Sequence, residues 1–281
     1  MNQNARIAGI KQIAEGTKEI TLGIDAGLHF QAGQYIRIII PSLFYDDVRG
    51  NGRNFSIASS PYDIKSLSIA FRESKSGFKR TLMELGVGAT ITFEGPSGSF
   101  VLPEHTAIPV VFVAGGIGIT PFMSMIRFAT QEKLSRRITL LYVNNSDETT
   151  AYRDELEMLE KQNPYFVMKR KLGMIDAGFI AQNGPYPKEA GWYIAGPPAM
   201  VLQAENILNK AGVSANQIKT EEFTGYEGDS INEIEEVKNS SGNKMKKTKE
   251  EELLEALNKL ALVSETDLDG TITYANDMFM E

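Results

Sequence analysis

The stretch Pro109-Val-Val-Phe-Val-Ala-Gly-Gly-Ile-Gly-Ile-Thr-Pro-Phe-Met-Ser-Met-Ile126 decides how the chain is read. Its first half is a run of β-branched and aromatic residues, the pattern of a strand buried on both faces in a parallel sheet. Gly115, Gly116 and Gly118 then predict a tight turn. Thr120-Pro121 predicts a helix start, where the missing proline N–H would have had no acceptor. Strand, glycine turn, helix start is how a doubly wound sheet offers backbone N–H groups to a nucleotide. The spacing is not G-x-G-x-x-G, so the stretch lacks the ordinary dinucleotide fingerprint and needs support from elsewhere. Residues 106–126 also carry no charge, enough for a membrane span on length alone. Three glycines and two prolines interrupt them, so no span is expected.

Towards the N-terminus the period is that of strands. Residues 6–13 and 17–24 alternate in polarity, and 34–40, 53–58, 66–72 and 89–94 read as further strands. A short helix is expected over 78–85 and a turn over 95–98. Six short strands with one small helix predict a closed antiparallel barrel over residues 1–104. Past Pro103 strands alternate with helices: strands at 137–143, 166–170, 191–195 and 218–223, helices at 152–162 and 199–211, with Gly212 as a C-terminal cap. That order implies a doubly wound α/β parallel sheet over 105–226. Residues 227–252 are rich in Glu, Lys, Ser, Asn and Gly and read as a solvated linker. Leu253, Leu257 and Leu260 mark a short amphipathic helix, expected to support a weak dimer through residues 253–263.

The bulk composition narrows the chemistry. The chain has 281 residues, 42% of them hydrophobic, and a formal net charge of −7, which offers no global attraction to nucleic acid or anionic lipid. It has no cysteine, so disulfides, thiolate nucleophiles and Cys-held metal or iron–sulfur centres are excluded. His29 and His105 are too few for a histidine-rich metal site. The N-terminus is polar and mixed in charge through Glu19, so no signal peptide is expected, and a cytoplasmic location is.

Three further features bear on the glycine stretch. Arg53-Asn54-Phe55-Ser56 lies on a strand before a turn, with Arg53 and Phe55 on one face and Asn54 and Ser56 on the other. An arginine suits a phosphate and a phenyl ring suits a flat ring system, although a surface arginine on a strand is also ordinary. Lys75-Ser-Gly77-Phe78-Lys79-Arg80-Thr81 leads a glycine into a helix N-terminus with two cations, a place that favours an anion. Ala195-Gly196-Pro197-Pro-Ala-Met200 is a second strand-to-helix turn of the same sheet. Ligands of doubly wound sheets lie beyond the carboxyl ends of the strands, so the two turns are expected to share one crevice.

Together these motifs resemble the ferredoxin–NADP reductase-like flavoproteins: Arg53 to Ser56, Gly115 to Pro121, Gly196 to Met200, and Glu222-Phe-Thr-Gly-Tyr226 near the end of the domain. The resemblance covers residues 4–226. It implies a flavin barrel followed by a pyridine-nucleotide domain, with FAD favoured over FMN and NADH or NADPH as electron donor. Arg53 would hold the flavin phosphate, Phe55 would cover the isoalloxazine, and Ser56 would stand near its reactive nitrogen, with Asn54 beside them. Ala70 and Phe71, with Gly77, Phe78, Lys79, Arg80 and Thr81, would face the diphosphate side. Gly115, Gly116, Gly118, Pro121, Gly196, Pro197 and Met200 would line the nucleotide path. Thr120 would bridge flavin and nicotinamide, and Phe223 or Tyr226 would stack on the flavin's other face. Ser56, Thr120 and Tyr226 are the residues the resemblance places at the reacting atoms. A separate carrier protein such as ferredoxin or flavodoxin would take the electrons.

The chain also departs from that pattern. Ala195 stands where many relatives have a cysteine, and no iron–sulfur cluster can be held. The segment Asn144-Asn-Ser-Asp-Glu148 offers no cation for a 2′-phosphate and places Asp147 there, which favours NADH. The tail Thr266-Asp-Leu-Asp-Gly-Thr-Ile-Thr-Tyr-Ala-Asn-Asp-Met-Phe279 resembles the start of a PAS domain, or forms a small hairpin turned at Asp269-Gly270. That tail motivates a second reading, a redox-sensing flavin module of a PAS-containing signalling protein.

Overall fold

In the computed structural model, residues 2–103, 107–185, 188–224, 264–266 and 272–275 are described. The chain divides into a compact unit of residues 1–229 and a second of residues 230–281.

The first unit begins with six strands, β1 (Gln3–Ala14), β2 (Thr17–Gly23), β3 (Tyr35–Ile39), β4 (Gly52–Ser56), β5 (Ser66–Arg72) and β6 (Thr90–Ser97), with α1 (Gly77–Leu85) between the last two. They pair antiparallel in the order β4-β3-β6-β1-β2-β5. A bridge between Ile57 and Ile69 links the two outer strands and closes the barrel. Alternation decides its interior: Ile7, Ile20, Leu22, Ile36, Ile38 and Phe93 point inward and are fully buried. The turn expected at 95–98 is instead the end of β6, which runs through Gly95-Pro96 and pairs Ser97 with Tyr35 across a register shift. Proline is tolerated there because a bulge frees its position from donating to the ladder.

Five parallel strands follow: β7 (Val110–Gly115), β8 (Ile138–Asn144), β9 (Phe166–Leu172), β10 (Gly191–Gly196) and β11 (Ile218–Glu222), in the order β11-β10-β7-β8-β9. The crossovers carry α2 (Thr120–Gln131), α3 (Arg153–Gln162), α4 (Ala177–Asn183) and α5 (Pro198–Lys210). The first half of the deciding stretch is β7. Its Val110, Phe112 and Ala114 join the core on one face of the sheet, and Val111 and Val113 the core on the other. A strand buried on both sides must read as a continuous apolar run. Gly212 follows the last helical turn at φ +79, in the left-handed region that glycine adopts without strain. The helix α4 is absent from the sequence reading because seven residues hold barely two turns of periodicity.

Barrel and parallel sheet pack into one unit through α2. Ser124 donates to the Ser59 carbonyl at 2.7 Å, and Arg127 donates to the Ala58 carbonyl at 2.7 Å. Arg127 also meets Glu155 of α3 through two hydrogen bonds of 2.7 and 2.8 Å and lies 3.7 Å from Glu19 of β2. The Tyr152 hydroxyl donates to Glu19 at 2.7 Å. A half-buried cation shared between elements of both sheets is a strong tie because losing one partner strands the others.

The second unit shows one antiparallel pair, β12 (Ser264–Thr266) with β13 (Ile272–Ala275), the ladder expected of a hairpin about Asp269-Gly270. The linker at 227–252 and the dimer helix at 253–263 lie outside the described residues. Among the described residues, this two-strand ladder does not show the PAS resemblance. No helix among the described residues is long and apolar enough to cross a membrane.

Candidate functional site

The two glycine turns touch. A Cβ on Gly118 would lie 2.2 Å from the Ala195 carbonyl oxygen and 2.7 Å from the Gly196 Cα. One on Gly115 would lie 2.9 Å from the Met200 methyl and 3.1 Å from Pro197. Only glycine lets the carboxyl ends of β7 and β10 come so close. The first turn is also held from beneath: the buried Tyr142 hydroxyl donates to the Gly116 carbonyl at 3.1 Å, with burial pushing its phenol up. Thr120, 1% exposed, donates to the Ile117 carbonyl at 2.7 Å, so its hydroxyl proton closes the turn. Pro121 is buried at the helix start, Met200 is half-buried, and Pro197 is exposed.

From the barrel, β4 brings Ser56 to this crevice. Ser56 is buried and donates to Glu221 Oε1 of β11 at 2.9 Å. Burial pushes the Glu221 carboxyl above the usual carboxylate range, partly offset by the Ser56 hydrogen bond. The sequence reading missed Glu221, because Ile218-Lys-Thr-Glu-Glu222 looks like a solvated edge strand until the barrel is packed against it. The Phe223 N–H donates to the Gly196 carbonyl at 2.9 Å, which sets Phe223, half-buried, beside the second glycine turn. Tyr226 lies outside the described residues.

The alternation expected along β4 holds, with a consequence for Phe55. Arg53 and Phe55 both turn towards Phe78, at 5.2 and 6.1 Å, and Asn54 is exposed. Phe55 is closed in by Phe71 and Phe78 within the barrel core and presents no open ring surface. On β5, Phe71 likewise points into the barrel, whereas Ala70 packs with the core of the parallel sheet.

The start of α1 holds an anion, and the anion belongs to the chain. Asp47 Oδ2 accepts the Ser76 hydroxyl at 2.7 Å and the Phe78 N–H at 2.9 Å. Its Oδ1 accepts the Arg49 N–H at 3.0 Å and pairs with the Arg53 guanidinium. Arg53 further donates to the carbonyls of Arg49, Gly50 and Gly52. Burial opposes the Asp47 charge, but the Phe78 N–H, the Ser76 hydroxyl, the Arg49 N–H and Arg53 outweigh it and hold the carboxyl down at about 2. Helix N–H, hydroxyl and guanidinium are also the donors a phosphate takes. The residues therefore fit the phosphate part of a flavin nucleotide, with the Asp47 carboxylate as its stand-in. Lys79 donates to the Arg72 carbonyl at 3.0 Å, Arg80 lies over the Tyr45 ring at 3.5 Å, and Thr81 accepts the Phe44 N–H at 2.9 Å.

At the far end of the sheet, Arg170 of β9 pairs with Asp147 at 2.6 Å. The segment 144–148 itself carries no cation, but Arg170 reaches Asp147 because β8 and β9 are neighbours and bring together residues 23 positions apart. A recess of about 430 Å³ opens between β1 and the start of α3, lined by Lys11, Asp147, Tyr152 and Glu155 among others. Neither glycine turn borders it, and its carboxylates would repel a phosphate.

Residues 112–206 match the family model of the oxidoreductase NAD-binding domain. The chain is 28% identical over 220 residues to an NADPH oxidoreductase of Mycobacterium tuberculosis, covering 74% of this chain and 57% of that one. It is 27% identical to the reductase subunit of an aromatic O-demethylase of Amycolatopsis, covering 78% of this chain and 69% of that one. The chain thus spans 57% and 69% of the length of these two curated relatives. Among solved structures, the FAD/NAD-binding domain of a nitric oxide dioxygenase from Vibrio cholerae superposes with a TM-score of 0.71 at 19% identity, over 79% of this chain and 98% of that one. An antiparallel barrel followed by a five-stranded parallel sheet is the ferredoxin reductase-like two-domain fold.

Proposed function

We propose that this chain is an NAD(P)H-dependent flavin oxidoreductase, which takes hydride from the nucleotide onto FAD and passes the electrons to a separate carrier protein such as ferredoxin or flavodoxin. The observation that carries the reading is the Ser56–Glu221 hydrogen bond, which sets the end of a barrel strand against the strand beside the second glycine turn. FAD, when bound, supplies the hydride acceptor and can release electrons one at a time. Arg53 and the start of α1 bind its phosphate part. Gly115, Gly116, Gly118 and Gly196 leave backbone, without side chains, where the nicotinamide approaches. Ser56 and Glu221 hold a proton between a hydroxyl and a carboxyl whose neutral form burial favours. Thr120 keeps the first turn closed, and Phe223 lies at the exit of β11. The reductase subunit among the relatives supports a separate electron acceptor, and the FAD/NAD-binding neighbour supports the cofactor pair. Arg170 pairs with Asp147, the charge that favours NADH, so either NADH or NADPH serves as the donor.

The test is an anaerobic titration of the purified protein, supplied with FAD, first with NADH and then with NADPH. Bleaching of the flavin band by one of them, reversed on adding oxidised ferredoxin or flavodoxin, is the expected result. A protein that leaves the flavin spectrum unchanged with both nucleotides overturns the reading.

A further inference from the structure

The segment between β3 and β4 lies across the start of α1 and fills it. The Asp47 side chain is only 5% exposed. Around it the Phe44 N–H donates to Thr81 at 2.9 Å, the Tyr45 hydroxyl donates to Glu84 at 2.6 Å, and Arg80 covers the Tyr45 ring. The backbone itself is pressed onto the helix: a Cβ on Gly77 would lie 2.3 Å from the Asp46 carbonyl oxygen and 2.6 Å from that of Tyr45. Arg49 reaches Thr224 just beyond β11 at 3.4 Å. No room remains at the first turn of α1 for a second anion while residues 44–49 lie there.

The structure assigns residues 44–49 the role of a displaceable plug: Asp47 occupies, as an intramolecular anion, the donor set that a flavin diphosphate requires, and the cofactor must expel it to bind. This rests on the flavin reading above. Two anions cannot share one Arg53 and one pair of helix-start donors without repulsion, so carboxylate and diphosphate exclude each other. The exposed side chains Phe44 and Val48, 56% and 105% exposed, show that the plug is held by its polar contacts to α1 and by no apolar packing at these two positions. Removing the carboxylate frees the donors while leaving Arg53, Ser76 and the Phe78 N–H in place.

The experiment compares FAD and riboflavin binding to flavin-free wild type, Asp47→Asn and Asp47→Ala by quenching of flavin fluorescence. Loss of the carboxylate is expected to tighten FAD binding by about tenfold, since the fraction of protein able to bind rises, and to leave riboflavin, which has no phosphate, unchanged. In wild type, amide hydrogen exchange of residues 44–49 is expected to speed up when FAD binds, a readout that needs no variant to fold. Equal or weaker FAD binding in both variants, or exchange at 44–49 that slows on FAD addition, overturns the plug while leaving the flavin reading intact. Failure of wild type and both variants to bind any flavin overturns the flavin reading, and the plug with it.

Discussion

Gly118 and Gly77 stand at opposite ends of the candidate site, and a Cβ added to either would meet backbone at nearly the same distance, 2.2 Å to the Ala195 oxygen and 2.3 Å to the Asp46 oxygen. The two contacts differ in what lies behind them. Behind Gly118 are the ends of two central strands, the buried Ile117 and Ile119, and the Tyr142 hydroxyl, none of which can move alone. Behind Gly77 is a surface segment held by polar contacts that a ligand can replace. One region is preorganised for its ligand; the other is preoccupied by a substitute for it.

Gly118→Ala should therefore have the largest effect. Overpacking an immobile turn is expected to cost about 3 kcal/mol or more, read as a large drop in Tm. Next is the acid sensitivity of the flavin-free protein. Asp47 falls from an ordinary 3.8 to about 2, so its contribution is complete above pH 4 and is lost as pH falls towards 2. That loss amounts to roughly 2 kcal/mol. Acid titration of wild type should show it, and Asp47→Asn should lack that limb. Gly77→Ala sharpens the contrast: the plug yields, alanine gains helix propensity, and the net cost is expected near 1 kcal/mol, with FAD binding kept or tightened. If Gly77→Ala costs as much as Gly118→Ala in thermal melts, the two regions are equally rigid and the contrast fails. Smallest is Arg170→Ala. An exposed pair contributes at most about 1 kcal/mol, so freeing Asp147 should lower kcat/KM for NADPH by about threefold relative to NADH.

Much of this was legible in order along the chain. The apolar run 110–114 reads as a strand covered on both faces, and the alternation in residues 6–13 and 17–24 reads as a sheet with one buried face. The pairing of the two glycine turns followed from their place at the carboxyl ends of parallel strands. Glu221 was not legible, because its burial comes from a different sheet. Arg127 had a faint signal, a lone charge ending an uncharged run, but its partners Glu19 and Glu155 lie 108 and 28 positions away. Asp47 had none: its partners Ser76 and Phe78 are 29 and 31 positions on, and a loop aspartate looks like any other.

The residue order alone settles what depends on period and on local backbone chemistry: barrel, parallel sheet, and glycine turns where no side chain fits. Those are properties of neighbours in sequence, set by alternation and by steric limits on each residue. Which carboxylate meets Ser56, which anion Arg53 holds, and which cation faces Asp147 were decided only by folding. Each depends on charges and donors brought within hydrogen-bond reach from distant segments, and electrostatics reads distance in space.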